Sequence, residues 1–66
     1  MKKRRTEIAV QRAIRKMSQE GLAMHTGLSR QTINAIETGK VTPSLFNALK
    51  LAYAFDMAIE ELFEED

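Results

Sequence analysis

An all-α fold, a compact bundle of five short helices, is what this 66-residue chain predicts. Three observations carry that expectation. Apolar residues recur at helical spacing in successive short stretches, and no strand can be placed. Ser18 and Ser29 stand where a hydroxyl can accept from the free amides of a first helical turn. Gly27 and Gly39 end the stretches that follow, and the Thr42-Pro43-Ser44 break opens another, because proline has no amide to donate and a φ preset for a first turn. With 44% hydrophobic and 29% charged residues the chain has the apolar content to fold, as one small domain with an economical core.

The first helix is expected from Thr6 to about Lys16, with Val10, Ala13, Ile14 and Met17 at i, i+3, i+4 and i+7 as its inward stripe and Ile8 extending it by a turn. The second runs from Gln19 to about Thr26 and turns Leu22 and Ala23 inward. Gly21 inside it costs up to ~1 kcal/mol relative to alanine, so packing rather than propensity holds this helix. The third spans Arg30 to about Thr38. The fourth, from about Ser44 to Phe55, places Leu45, Ala48, Ala52 and Phe55 on one face. Asp56-Met57-Ala58 is a second break, and Ile59 to Phe63 makes a short fifth helix. No repeat, linker or low-complexity segment appears beyond the basic run Lys2–Arg5, so the chain divides into a basic arm (residues 1–5) and one domain (residues 6–66).

Composition excludes several function classes. Cysteine is absent, which removes disulfides, thiolate metal sites and cysteine nucleophiles. The single histidine, His25, rules out a multi-histidine metal site, and no phosphate-cradling glycine loop or Ser-His-Asp arrangement is present. Neither a cofactor, a metal nor a small-molecule ligand is expected, and an enzyme is the weakest class. The apolar runs are too short for a spanning helix, and the N-terminus lacks the apolar stretch of a signal peptide, so a cytoplasmic protein with no membrane partner is expected.

The net charge of +1 conceals a polarity. Residues 1–16 sum to +6, residues 17–55 to +1 and residues 56–66 to −6. One end of the chain suits a polyanion and the other does not.

Residues 18–39 hold the informative constellation, two short helices around a tight glycine turn. Ala23 is small where the helices cross, Gly27 permits the sharp turn, and Leu22, Leu28, Ile33 and Ile36 lock the angle from below. That spacing suits a helix-turn-helix with an outward second helix. The outer face of that helix reads Ser29, Arg30, Gln31, Thr32 and Asn34, side chains able to reach phosphates or pair with base edges in a major groove. The plain alternative is a solvated helix in a small bundle.

The stretch "MSQEGLAMHTGLSRQTINAIETGKVTPSLFNALKLAYAF", followed by "IEELF", resembles the Cro/CI-type (Xre-like) helix-turn-helix family of bacterial and phage repressors, from about Ile8 to Phe63. The resemblance implies a lambda-repressor-like five-helix domain of bacterial, archaeal or phage origin. It further implies a regulator of transcription that binds palindromic double-stranded operators as a homodimer, with the third helix in the major groove. Carried over residue by residue, it implies phosphate contact and bracing of the recognition helix for Gln19, and capping and backbone contact for Ser29 and Thr32. Arg30, Gln31 and Asn34 match recognition positions, Thr38 and Lys40 a phosphate-contacting loop, and Arg12 with Glu37 a buried ion pair. Gln11 stands where the family usually carries an apolar residue and Ile14 where it carries a charge, which leaves the first helix two settings, as read above or rotated by one residue. Gly21, Asp56 and Ala58 also depart from the family's usual residues.

A second function class is an antitoxin-like or other protein-interaction module on the same fold. Only Glu64-Glu65-Asp66 follow Phe63, so no segment to wrap a toxin and no ligand-sensing domain is expected. The fourth helix leaves Phe46, Leu49 and Tyr53 on a stripe beside its core face. That stripe is the candidate dimer surface, which Met57 and Phe63 could extend.

Overall fold

Three serine hydroxyls open the middle helices. Ser18 Oγ accepts from the Gly21 amide at 2.9 Å, Ser29 Oγ from Thr32 at 3.0 Å and Ser44 Oγ from Asn47 at 3.2 Å. Each bond satisfies a first-turn amide that has no partner within its helix. The computed structural model describes residues 4–65. Its helices are α1 (Ile8–Ile14), α2 (Gln19–Thr26), α3 (Arg30–Glu37), α4 (Leu45–Phe55) and α5 (Ile59–Leu62). The all-α five-helix bundle is thus observed. One addition corrects the expectation of no strand: β1 (Arg4–Thr6) and β2 (Phe63–Glu65) form a short antiparallel ribbon.

The ribbon pairs Arg4 with Glu65, Arg5 with Glu64 and Thr6 with Phe63. It continues into the bundle through the Glu7 amide, which donates to Leu62 O at 2.8 Å. Part of the expected basic arm is therefore strand, while Lys2 and Lys3 lie outside the described residues. Phe63, expected in the fifth helix, is the first residue of β2. Propensity does not predict these strands, since charged residues are poor strand formers. What brings them together is the core, which Ile8 and Leu62 share directly beside the two strands.

The core consists of Ile8, Leu22, Ala23, Ile33, Ile36, Leu51, Ala52, Phe55 and Leu62, with Ala48 also buried. Two helices face it differently from expectation. In α1 the buried residue is Ile8, whereas Val10 and Ile14 are exposed, Ile14 to 66%. Ala13 is exposed too, and the half-buried Arg12 takes the inward side in their place. Arg12 reaches Glu37 and Met17 O, and Arg15 donates to Phe55 O at 2.7 Å with its guanidinium 4.9 Å from the Phe55 ring centre. In α4, Ala48, Ala52 and Phe55 are buried as expected, but Leu45 is 69% exposed and Leu51 fills the core in its place. Ala48, Leu51, Ala52 and Phe55 form the complete i, i+3, i+4, i+7 set, while Leu45 is the first residue of the helix.

Candidate nucleic-acid interface

The two helices of the interface are set at their angle by a glycine and a small contact. Gly27 adopts φ 79°, where a side chain is strained, although a Cβ there would meet nothing within 4 Å. Backbone conformation, not space, therefore demands glycine at the turn. Ala23 is buried in α2, Leu28 packs against the core from the turn, and Ile33 and Ile36 bury the inner face of α3.

The outer face of α3 is polar and mostly free. Arg30, Gln31 and Asn34 are exposed. Among the described residues, the side chains of Arg30, Gln31 and Lys40 make no hydrogen bond or ion pair. Ser29 Oγ also donates to Thr32 Oγ1 at 2.8 Å, so the two hydroxyls at the start of α3 are held together. No acidic residue lies in the first turn of α3. The positive end of its dipole is thus left for an anion.

At the other end of α3, Gly39 takes φ 80° and lets the chain fold back. The Lys40 amide donates to Ala35 O at 2.9 Å and the Gly39 amide to Ile36 O at 3.1 Å, the paired bonds of a Schellman turn. Thr38 Oγ1 donates to Asn34 O at 3.0 Å and to Ala35 O at 3.2 Å. These bonds fix the loop that carries the exposed Lys40 beside the end of the helix.

Behind the face lies one connected set of polar side chains. Arg12 Nε donates to Glu37 Oε2 at 2.6 Å and Nη2 to Oε1 at 3.1 Å, a two-point pairing, while Nη1 donates to Met17 O at 2.9 Å. The side chains are 19% and 7% exposed, which places the ion pair expected from the resemblance largely out of water. The Glu37 hydrogen bonds and charge raise the Arg12 pKa above its ordinary value against the opposing effect of burial. Gln19 Nε2 donates to Glu37 Oε1 at 3.0 Å and to Asn34 Oδ1 at 3.1 Å. Gln19 therefore braces α3 from the first residue of α2.

The structure brings Gln19, Asn34, Glu37 and Arg12 into contact and keeps Ser29 with Thr32. Arg30, Gln31 and Lys40 stand apart from that network. The link from Gln19 to Asn34 was not legible in the sequence, because neither residue type demands the other. Their only signal is that both lie beside Glu37, one helical turn before it in α3 and across the helix crossing in α2.

Residues 8–62 match the helix-turn-helix family model. The chain is 52% identical over 52 residues to an uncharacterised HTH-type transcriptional regulator of Methanocaldococcus jannaschii, covering 79% of each. It is 50% identical over 46 residues to the uncharacterised HTH-type transcriptional regulator YgzD of Bacillus subtilis, covering 70% of each. Among solved structures it is similar to the restriction-modification controller protein C.AhdI from Aeromonas hydrophila, with a TM-score of 0.80, 40% identity and 86% of both chains covered. A hypothetical transcription factor from Neisseria superposes with a TM-score of 0.78 at 31% identity, over 83% of this chain and 62% of that one. Among the described residues no helix is long and apolar enough to cross a membrane. The family comprises regulators rather than enzymes. With its glycine-turned helix pair and the match over nearly its whole length, this chain belongs to the Cro/CI-type helix-turn-helix family of DNA-binding transcriptional regulators.

Proposed function

We propose that the protein is a homodimeric repressor that reads a palindromic duplex operator with α3 in the major groove. The observation that carries this reading is the exposed Arg30, Gln31 and Asn34 face over the buried Ile33 and Ile36. Arg30 has the donors for guanine and Gln31 the donor and acceptor for adenine. Ser29 and Thr32 at the start of α3 and Thr38 and Lys40 after its end serve as phosphate contacts that set the register. Both N–H groups of the Gln19 carboxamide are engaged internally, so any phosphate contact at Gln19 comes through its main chain.

Dimerisation is supported by the apolar surface of α4. Leu45, Phe46, Leu49 and Tyr53 are exposed, Tyr53 to 89%. Leu49 and Tyr53 also line a groove of about 440 Å³ with Met57 and Ile59. An apolar patch of this kind on so small a domain marks a contact surface. A two-fold pair sets its recognition helices one DNA turn apart, ~34 Å, which makes the site palindromic. Occupying such a site blocks access to it, hence repression.

Selection of bound sites from random duplexes tests the reading. The parent chain should return a two-fold sequence. Arg30→Ala or Gln31→Ala should lose roughly 1–3 kcal/mol at it and relax base preference. Variants that bind as tightly and as selectively as the parent overturn the assignment of α3.

A further inference from the structure

Tyr53, 89% exposed, is a ridge between two clefts. On one side α4 meets α5 in the groove lined by Leu49, Met57 and Ile59, to which Glu60 adds a carboxylate. On the other side α4 meets α2 in a smaller cleft lined by Lys50, His25 and Thr26. Successive helical residues point about 100° apart, so Leu49 and Lys50 project to either side of Tyr53. The face is thus apolar along its middle, with a carboxylate on the α5 margin and an ammonium on the α2 margin. Both Lys50 and Glu60 are exposed, and among the described residues neither side chain makes a hydrogen bond or ion pair. The fold therefore leaves two opposite charges without partners, one on each side of the strip.

Resting on the dimer reading above, we propose that a second copy of the chain occupies this face, oriented by two Lys50–Glu60 pairs across the interface. Two-fold contacts here are of two kinds. An axis across α4 lays each margin on itself, Glu60 against Glu60 and Lys50 against Lys50, which repels on both sides. An axis along α4 exchanges the margins. Lys50 of each copy then faces the partner's Glu60, and the two α4 helices run in the same direction. Charge selects this second kind. The same pairs act against any chain of this fold that carries the wrong charge at either margin, so the face is selective for its own copy.

The experiment is sedimentation over a concentration series of the full chain, Lys50→Glu, Glu60→Lys, an equimolar mixture of these two, and the double variant. Either single variant replaces two attractive pairs by two repulsive ones and should weaken self-association about tenfold. The mixture should dimerise as the parent does, because both pairs of the mixed dimer join unlike charges. The double variant should recover association as well, since exchanging the charges restores both pairs. Single variants that associate like the parent, or a mixture and double variant no tighter than the singles, overturn the pairing. A parent that stays monomeric overturns the dimer reading itself, a separate result. Should Glu60→Lys unsettle α5, in whose first turn it lies, Lys50→Glu combined with Glu60→Gln decides. Removing the repelling carboxylate should restore association severalfold over Lys50→Glu alone, and no recovery overturns the proposal.

Discussion

Lys16 adopts φ 54°, a left-handed conformation in which a Cβ is crowded. It holds that position because α1 ends in the same turn as α3. The Met17 amide donates to Arg12 O at 2.9 Å and the Lys16 amide to Ala13 O at 3.1 Å. Asp56 does the same after α4 at φ 55°, and aspartate tolerates the region better than lysine. Lys16→Gly should therefore stabilise the fold by about 1 kcal/mol in denaturant melts, and Asp56→Gly by less. The reverse sign is expected at the ion pair. Glu37→Ala leaves Arg12, whose side chain is 19% exposed, without its carboxylate. It should cost about 3 kcal/mol, near the lower end for a buried pair, and a loss below half a kcal/mol would mean that water replaces the partner freely.

At the scale of elements, α1 and α4 each carry two apolar stripes, and the structure buries one of each. Ile8→Ala and Leu51→Ala remove fully buried side chains and should each cost about 2–5 kcal/mol. Ile14→Ala and Leu45→Ala touch exposed ones and should change stability by about 0.5 kcal/mol or less. Thermal melts of the four variants measure the settings of both helices directly. Their ends were far more legible than their faces. Ser18, Ser29, Gly27 and Gly39 act within four residues of where they stand, and the limits of α2 and α3 follow from them. The face of α4 was not legible, because "LFNALKLAYAF" is apolar nearly all round and its periodicity fits Leu45 or Leu51 equally well. In α1 the half-buried Arg12 takes an inward place, which a hydrophobic stripe passes over. Arg15 sets its guanidinium over the Phe55 ring and donates to Phe55 O, an arrangement with no local signature.

For the whole molecule, the first and last described segments pair in one ribbon, with Arg4 in register with Glu65 and Arg5 with Glu64. A two-stranded pairing alone is marginal in water, and this one is continued into the bundle by the Glu7 amide on Leu62 O. Deleting residues 1–5 should thus lower the melting temperature as well as flatten the dependence of DNA affinity on salt, because phosphate contacts release counterions. A flatter salt dependence with an unchanged melting temperature would assign the segment to DNA alone. The exposed α4 surface makes a separate prediction. Tyr53→Glu should leave the monomer folded, since the side chain is 89% exposed, and shift sedimentation at micromolar concentration from dimer to monomer. Unchanged sedimentation would overturn the proposal that the protein pairs through this face.

By itself the sequence determined the helix boundaries around the turn, the glycine that makes the turn, and the polar face of α3. All of these depend on contacts within a few residues or on side-chain chemistry alone. Only the tertiary structure decided which stripe of α1 and α4 enters the core, that the chain ends pair as strands, and that Asn34 is held by Gln19. Those outcomes join residues from 15 to 61 positions apart, as in Gln19 with Asn34 and Arg4 with Glu65. At such separations a residue's neighbours are chosen by how the helices pack, and a linear pattern carries no term for that choice.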